Sequence, residues 1–280
     1  MTNGRIGVLD SGVGGLTIAG RLMDEAPGLG IHYFADTAHL PYGARAAEEV
    51  AALANGVVKH LVERGVSAVV MACNTSNAVA IEQIRQWCPV PVIGIIQPAA
   101  QAAVAISRNG RIGVLATAVT ARSGAYDRAC AAAIQSQDDL KEVQVQSVGC
   151  PKLVPLIEDG RIWSREARAA LLEYLEPLMN WNMDTLVLGC THYPFLRAHI
   201  QQLVGPNVKI VDPSCYVLGE LTRAGVTNTA TSRHIYEVSG NAREFELAGS
   251  RLMNRSIRNA KAVEFVNPYQ RQQVQAFAAQ

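Results

Sequence analysis

The chain has 280 residues, of which 49% are hydrophobic and 18% charged, enough length for about two domains of ordinary size. Its 25 Lys and Arg against 24 Asp and Glu leave a formal net charge of +1, so neither a polyanion nor an anionic membrane is favoured as a partner. No uninterrupted apolar stretch approaches the roughly 18 residues of a spanning helix, and the opening MTNGRIGVLDSG has no basic segment leading into an apolar run. A cytosolic protein is expected.

Short β-branched runs alternate with longer alanine-rich stretches of helical character, the pattern of parallel βα units. In chain order the strands are predicted at 6–9, 31–34, 66–72, 92–95, 111–116, 143–148, 185–189, 208–211 and 235–238. The fold class is therefore α/β. The closing PYQRQQVQAFAAQ is polar enough to fray or to lie on the surface.

Two internal matches occur in the same order along the chain. GRIGVLDSGVGGLT at 4–17 returns as GRIGVLATAVTARS at 110–123, and VVMACNTSNAVAIEQI at 69–84 returns as LVLGCTHYPFLRAHI at 186–200. Cys73 and Cys190 fall at equivalent places. One such match between βα units arises by shared composition, but two in order favour duplication, giving two related α/β domains facing each other.

The six cysteines, at 73, 88, 130, 150, 190 and 215, form no CxxC pair and no cluster with histidine suited to zinc. For Cys88, Cys130, Cys150 and Cys215 the default is a small buried or surface thiol. Cys73 and Cys190 each end an apolar run and precede a helical pattern, which sets each thiol at the carboxyl end of a strand and the amino end of a helix, with Pro194 at an early helical position. A helix dipole there is expected to draw the thiol pKa from about 8.5 toward neutrality and to attract a carboxylate. Taken singly, either cysteine reads as core. Their matched placement argues for more: related by a two-fold axis, they approach a ligand from opposite sides, so one thiolate removes a proton from a carbon while the other thiol delivers one. Helix N-termini and the hydroxyls of Thr75 and Thr191 are candidate donors to the enolate-like transition state.

DSGVGGLT at 10–17 does not fit the dinucleotide pattern GxGxxG, and an Asp directly after the strand would repel a pyrophosphate. Asp10 can instead bind an ammonium or help a thiol exchange its proton; a capped turn is the plain alternative. His192, two residues after Cys190, can shuttle a proton or hold the ligand, although a lone histidine is more often incidental. Glu158 in VPLIEDG reads as a helix end, and Tyr42 and Gly43 in LPYGAR read as a turn with exposed N–H groups.

Together DSGVGGLT, PYGAR, ACNTSNA, VPLIEDG and LGCTHYP, in this order and spacing, resemble the cofactor-independent aspartate/glutamate racemase superfamily over most of the chain. DSGVGG with PYG, and His192 in the second cysteine motif, point to its glutamate racemase branch. The resemblance implies pseudo-symmetric doubly wound domains with mostly parallel sheets and a site in the cleft between them: residues 1–97 with 211–280 form one domain and 98–210 the other. It assigns proton transfer to Cys73 and Cys190, with Asp10 assisting the first and His192 and Glu158 the second. Substrate contacts carry over to Asp10, Ser11, Tyr42, Gly43, Asn74, Thr75, Thr191 and His192. It further implies glutamate as substrate, no cofactor and no metal, D-glutamate supply for peptidoglycan in a bacterial cytosol, and leaves a homodimer open. Gln97 stands where many members carry Glu, Ala46 where Ser is common after PYGAR, and SCYVLGEL after Asp212 departs from the usual sequence; the proton-transfer set is intact.

Three rival readings differ in chemistry. A superfamily relative could act on aspartate, a hydantoin or a malonate derivative, though two retained cysteines favour racemisation over decarboxylation. A Cys–His hydrolase on Cys190 and His192 is expected to fail because residues so close in sequence seldom form a preorganised pair, and it leaves Cys73 unexplained. A two-lobed binding protein would also duplicate α/β domains around a cleft.

Overall fold

A computed structural model describes residues 4–135, 142–227, 231–267 and 269; apart from Tyr269, the polar stretch 268–280 lies outside the described residues. The strands in chain order are β1 (Ile6–Asp10), β2 (Ile31–Ala35), β3 (Ala68–Met71), β4 (Val92–Gly94), β5 (Arg111–Ala116), β6 (Gln144–Gly149), β7 (Thr185–Gly189), β8 (Lys209–Val211), β9 (Ile235–Val238) and β10 (Lys261–Ala262). The helices are α1 (Leu16–Glu25), α2 (Ala47–Glu63), α3 (Asn74–Trp87), α4 (Ile96–Ile106), α5 (Ala118–Arg122), α6 (Ala125–Gln135), α7 (Leu153–Glu158), α8 (Arg165–Asn180), α9 (Arg197–Val204), α10 (Val217–Arg223) and α11 (Ala242–Met253).

The strands form two sheets, ordered β10-β9-β2-β1-β3-β4 and β6-β5-β7-β8, and all the pairings are parallel. The order β2-β1-β3-β4 is reproduced as β6-β5-β7-β8, so the repeat in the sequence recurs in the topology. Cys73 follows β3 and Cys190 follows its counterpart β7.

All nine predicted strands are present. β3 is shorter than the predicted 66–72, because the chain enters from a left-handed turn at Gly65 (φ 74°) and already leaves the strand at Ala72 to start α3. β10 escaped the pattern: two exposed residues on a sheet edge carry no alternation to read.

Both faces of the inner strands are covered, which is why β1, β3, β5 and β7 read as apolar runs, whereas the edge strand β6 is only partly buried. Side chains alternate between faces: Val8, Val70, Val114 and Val187 enter one core that runs between the two sheets. Leu9, Val69 and Met71 point the other way, under α2 and α3, while Leu115, Leu186 and Leu188 pack beneath α8 and its neighbours. The shared central core sets the carboxyl ends of the strands of both sheets around one cleft. Among the described residues no helix is long and apolar enough to cross a membrane.

The chain returns to the first sheet through β9, held by a buried polar cluster. Glu237 accepts from His32 Nε2 at 2.9 Å and His60 Nε2 at 2.6 Å. Burial alone would raise this carboxyl, but the hydrogen bonds from His60 and His32 outweigh it and hold it below the usual range.

Helix ends differ in how their first N–H groups are satisfied. Ser164 caps α8 by accepting from Ala167 N at 3.1 Å, and Asn241 caps α11, whereas Ala46 occupies the N-cap of α2 with extended backbone and no side-chain acceptor. Since Glu49 sits three residues on, Ser at position 46 completes a capping box. Ala46→Ser is expected to stabilise the protein by about 1 kcal/mol, read as a higher urea midpoint at unchanged slope; an unchanged or lower midpoint contradicts this account of the helix start.

Candidate active site

The cleft contains a cavity of about 350 Å³, within the size range of small-molecule sites. Ser11 reaches it from the loop after β1, Tyr42 and Gly43 from the turn after β2, and Cys73, Asn74 and Thr75 from the start of α3. From the other side come Thr117 after β5, Cys150 after β6, Glu158 at the end of α7, and Cys190, Thr191 and His192 after β7. Of the residues singled out in the sequence, Asp10 alone does not line the cavity. It is fully buried behind the wall, accepting from Gly12 N at 2.9 Å and Thr191 Oγ1 at 3.3 Å.

The two thiols are almost equally hidden, with 5% of Cys73 and 6% of Cys190 exposed. Cys73 is the N-cap residue of α3 and its Sγ lies 3.8 Å from Ser11 Oγ. Cys190 precedes not an α-helix but a 3-10 turn, Tyr193–Leu196, in which Pro194 takes the early position expected for it; α9 follows. Cys190 Sγ lies 3.8 Å from His192 Nδ1, and His192 Nε2 lies 2.9 Å from Glu158 Oε1. The geometric objection to a Cys190–His192 pair is thereby corrected: the tight turn after β7 brings the two side chains together.

Electrostatics separate the two sides. Burial pushes the Cys73 thiol up to about 11, and the nearby Asp10 carboxylate adds to this. The expected shift toward neutrality is thus wrong in sign for Cys73: a helix N-terminus is worth at most about 2 kcal/mol, whereas full burial can move a thiol by several pKa units. Burial also raises Asp10 above the usual carboxylate range, against the opposing effects of His192 and the Gly12 N–H. For His192 burial disfavours the cation, but the Cys190 sulfur and the Glu158 carboxylate together overcome it and raise the imidazole to about 10. The Cys190 side is therefore built to hold a proton on nitrogen beside sulfur.

Gly14 of DSGVGGLT serves a close approach across the cleft. A Cβ on Gly14 would strike His192 Nδ1 and Thr191 Oγ1, so only glycine admits the Cys190 motif at this depth. Gly43 similarly faces Thr117, whose Cβ lies 2.7 Å from where a side chain would begin. Tyr42 is fixed by its hydroxyl, which donates to Asp36 Oδ2 at 2.6 Å; Ser239 also donates to Asp36, at 2.6 Å.

Sequence reasoning missed several wall residues. Thr117 was detectable, because the repeat aligns it with Ser11; its hydroxyl meets Thr75 Oγ1 at 3.0 Å and Thr120 Oγ1 at 2.9 Å. Cys150, read by default as a small buried or surface thiol, lines the cavity with its thiol pushed up to about 12 by burial. Leu40, Pro151, Val154 and Pro155 add apolar wall; Leu40 stands in LPYGAR and Val154 and Pro155 in VPLIEDG, but nothing in those motifs marked these three side chains as facing a cavity.

Fold and cavity together define an α/β protein of the parallel class with a small-molecule site between two sheets. Comparison with known proteins narrows this. The family model described as Asp/Glu/Hydantoin racemase matches residues 19–215. The glutamate racemase of Desulforudis audaxviator is 44% identical over 214 residues, 76% of each chain. Among solved structures, a glutamate racemase of Bacillus anthracis superposes with a TM-score of 0.86 at 31% identity, covering 94% of this chain and 98% of that one. The glutamate racemase of Francisella tularensis, solved in complex with D-glutamate, gives 0.84 at 29% identity, covering 94% and 98%. The chain belongs to the Asp/Glu/hydantoin racemase family and is an amino-acid racemase. The hydrolase and the non-catalytic binding protein are set aside on that ground.

Because His192 is raised from 6.5 to about 10 in the folded state, its contribution to stability is complete below about pH 6.5, fades above it, and is lost as pH rises through about 10. An NMR titration of the His192 ring is expected to show a midpoint near 10, moved down by Glu158→Gln. A midpoint between about 6 and 7 in the wild-type protein contradicts the pairing.

Proposed function

We propose that the enzyme interconverts L- and D-glutamate without a cofactor, using Cys73 and Cys190 as two bases on opposite faces of the α-carbon. The observation that carries this reading is the pair of almost buried thiols lining one cavity from topologically equivalent strands. The glutamate substrate rests on the similarity to glutamate racemases, one of them solved with D-glutamate. The two halves of the site belong to two domains, residues 1–97 with 211–280 and residues 98–210. In a bacterial cytoplasm the D-glutamate formed supplies peptidoglycan assembly.

Removing an α-proton places negative charge beside a carboxylate, so the site must supply donors at the place where charge develops. Ser11, Asn74, Thr75, Thr117 and Thr191 offer hydroxyl or amide groups on the cavity wall, and the first N–H groups of α3 lack partners further up the helix. In the resting enzyme the surroundings of the two thiols are unequal. His192, raised by Cys190 and Glu158, holds a proton beside the Cys190 sulfur, while burial keeps Cys73 a thiol. One sulfur takes the α-proton as the other releases its own, and the roles reverse in the opposite direction. The substrate ammonium lowers the cost of charge on either sulfur, as any nearby cation does. Asp10, held by Thr191, assists proton exchange at Cys73, and His192 with Glu158 does so at Cys190.

Cys73→Ala and Cys190→Ala are each expected to lower kcat/KM for racemisation by at least about 10²-fold, followed by circular dichroism of glutamate, while the thermal midpoint stays close to wild type. Substantial racemisation by either variant contradicts the two-base scheme. Activity on aspartate but not glutamate would instead overturn the substrate assignment. Chelators and added pyridoxal phosphate are expected to leave the wild-type rate unchanged.

A further inference from the structure

One buried contact beside Cys73 is unused by this scheme. Asn74, the first residue of α3, lines the cavity and is almost completely buried. Its Oδ1 accepts a hydrogen bond from Tyr126 Oη at 2.7 Å. Among the described residues, Asn74 Nδ2 is the one buried side-chain nitrogen or oxygen without a hydrogen-bond partner. Buried polar groups are ordinarily paired, so an unpaired amide donor on a residue that lines the cavity marks a place for an acceptor. The carboxylates of an amino-acid substrate are such acceptors.

Tyr126 approaches from the opposite side of the cleft. It lies on α6, which packs on β6 and α4, and it is fully buried. Burial, with smaller contributions from Cys130 and Cys190, holds its hydroxyl well above the usual phenol value, so it remains neutral and able to donate. An asparagine amide can sit in either of two senses, and a tyrosine hydroxyl alone satisfies both, since it can donate or accept. A carboxylate can only accept. With Tyr126 donating on one side and a carboxylate accepting on the other, a single sense of the amide satisfies both neighbours.

We propose that Tyr126 is a positioning residue for racemisation: it grips Asn74 Oδ1 across the cleft so that Nδ2 donates to a carboxylate of bound glutamate beside Cys73. This rests on the glutamate assignment above. The adjacent Thr75 is held from the same side by Thr117 at 3.0 Å and Thr120 at 3.4 Å, so the first two residues of α3 are both braced from across the cleft.

The test is a double-mutant cycle with Tyr126→Phe, which removes only the hydroxyl, and Asn74→Ala. Tyr126→Phe is expected to lower kcat/KM for glutamate about tenfold, the scale of one hydrogen bond to a charged group, and to cause no further loss in the Asn74→Ala background. Unchanged kcat and KM in Tyr126→Phe, or the same fold-loss with and without Asn74, overturns the proposal even if the thermal midpoint falls, because a merely structural tyrosine behaves that way. A wild-type enzyme inactive on glutamate would strike the functional reading instead. Independently of substrate, the Asn74 side-chain amide resonances in ¹⁵N NMR are expected to shift in Tyr126→Phe; if they are unmoved, Tyr126 does not hold the amide.

Discussion

Two sulfur atoms are kept nearly out of water at the ends of equivalent strands, and the rest of the cavity answers the difficulty this creates. A thiol shielded from solvent is a poor acid, as Cys73 at about 11 illustrates, yet proton transfer at carbon requires a sulfur that can carry charge. Opening the site to water would ease ionisation and weaken every electrostatic contact available to the transition state. The fold keeps both sulfurs shielded and supplies polar partners locally, through His192 and Glu158 on one side and through the start of α3 with Ser11 on the other.

The bracing of these two sides is reciprocal. The loop after β1 supports the Cys190 motif: Asp10 accepts from Thr191 Oγ1, Thr17 Oγ1 donates to Thr191 O, and Gly14 lets His192 approach. The equivalent loop after β5 supports the Cys73 motif, through Thr117 and Thr120 on Thr75. Each cysteine is thus carried by one sheet and steadied by the other. An arrangement of this kind couples the position of either sulfur to how the two sheets meet, and the core they share from Val8 and Val70 to Val114 and Val187 gives that meeting a packed, hence specific, geometry.

The inner strands were legible because both of their faces are buried, which writes β-branched runs into the chain; β10, two exposed edge residues, wrote nothing. The duplication led to Cys73 and Cys190 before any structural detail, and the same alignment of Ser11 with Thr117 pointed to a wall residue that was passed over. Tyr42, Gly43 and Glu158 stood out only through a family resemblance, since a turn and a helix end look alike whether or not they face a cavity. What the sequence could not reveal was the balance of burial against charge. Helix position alone predicted an acidic thiol at Cys73, and its desolvation reverses the sign. Sequence distance made Cys190 and His192 an unpromising pair, and the tight turn after β7 brings them within 3.8 Å. Cys150 reached the cavity for a reason equally invisible in one dimension, the register at which β6 ends.

The central claim is that hydrogen leaves one face of the α-carbon and arrives on the other from a different group. Following each enantiomer of glutamate in deuterated water at early times tests it most directly. Two bases predict deuterium at the α-carbon of the product enantiomer while the remaining starting enantiomer keeps its hydrogen. Deuterium entering both enantiomers together, or product that retains the original hydrogen, would mean that one group serves both faces, and the account would be wrong.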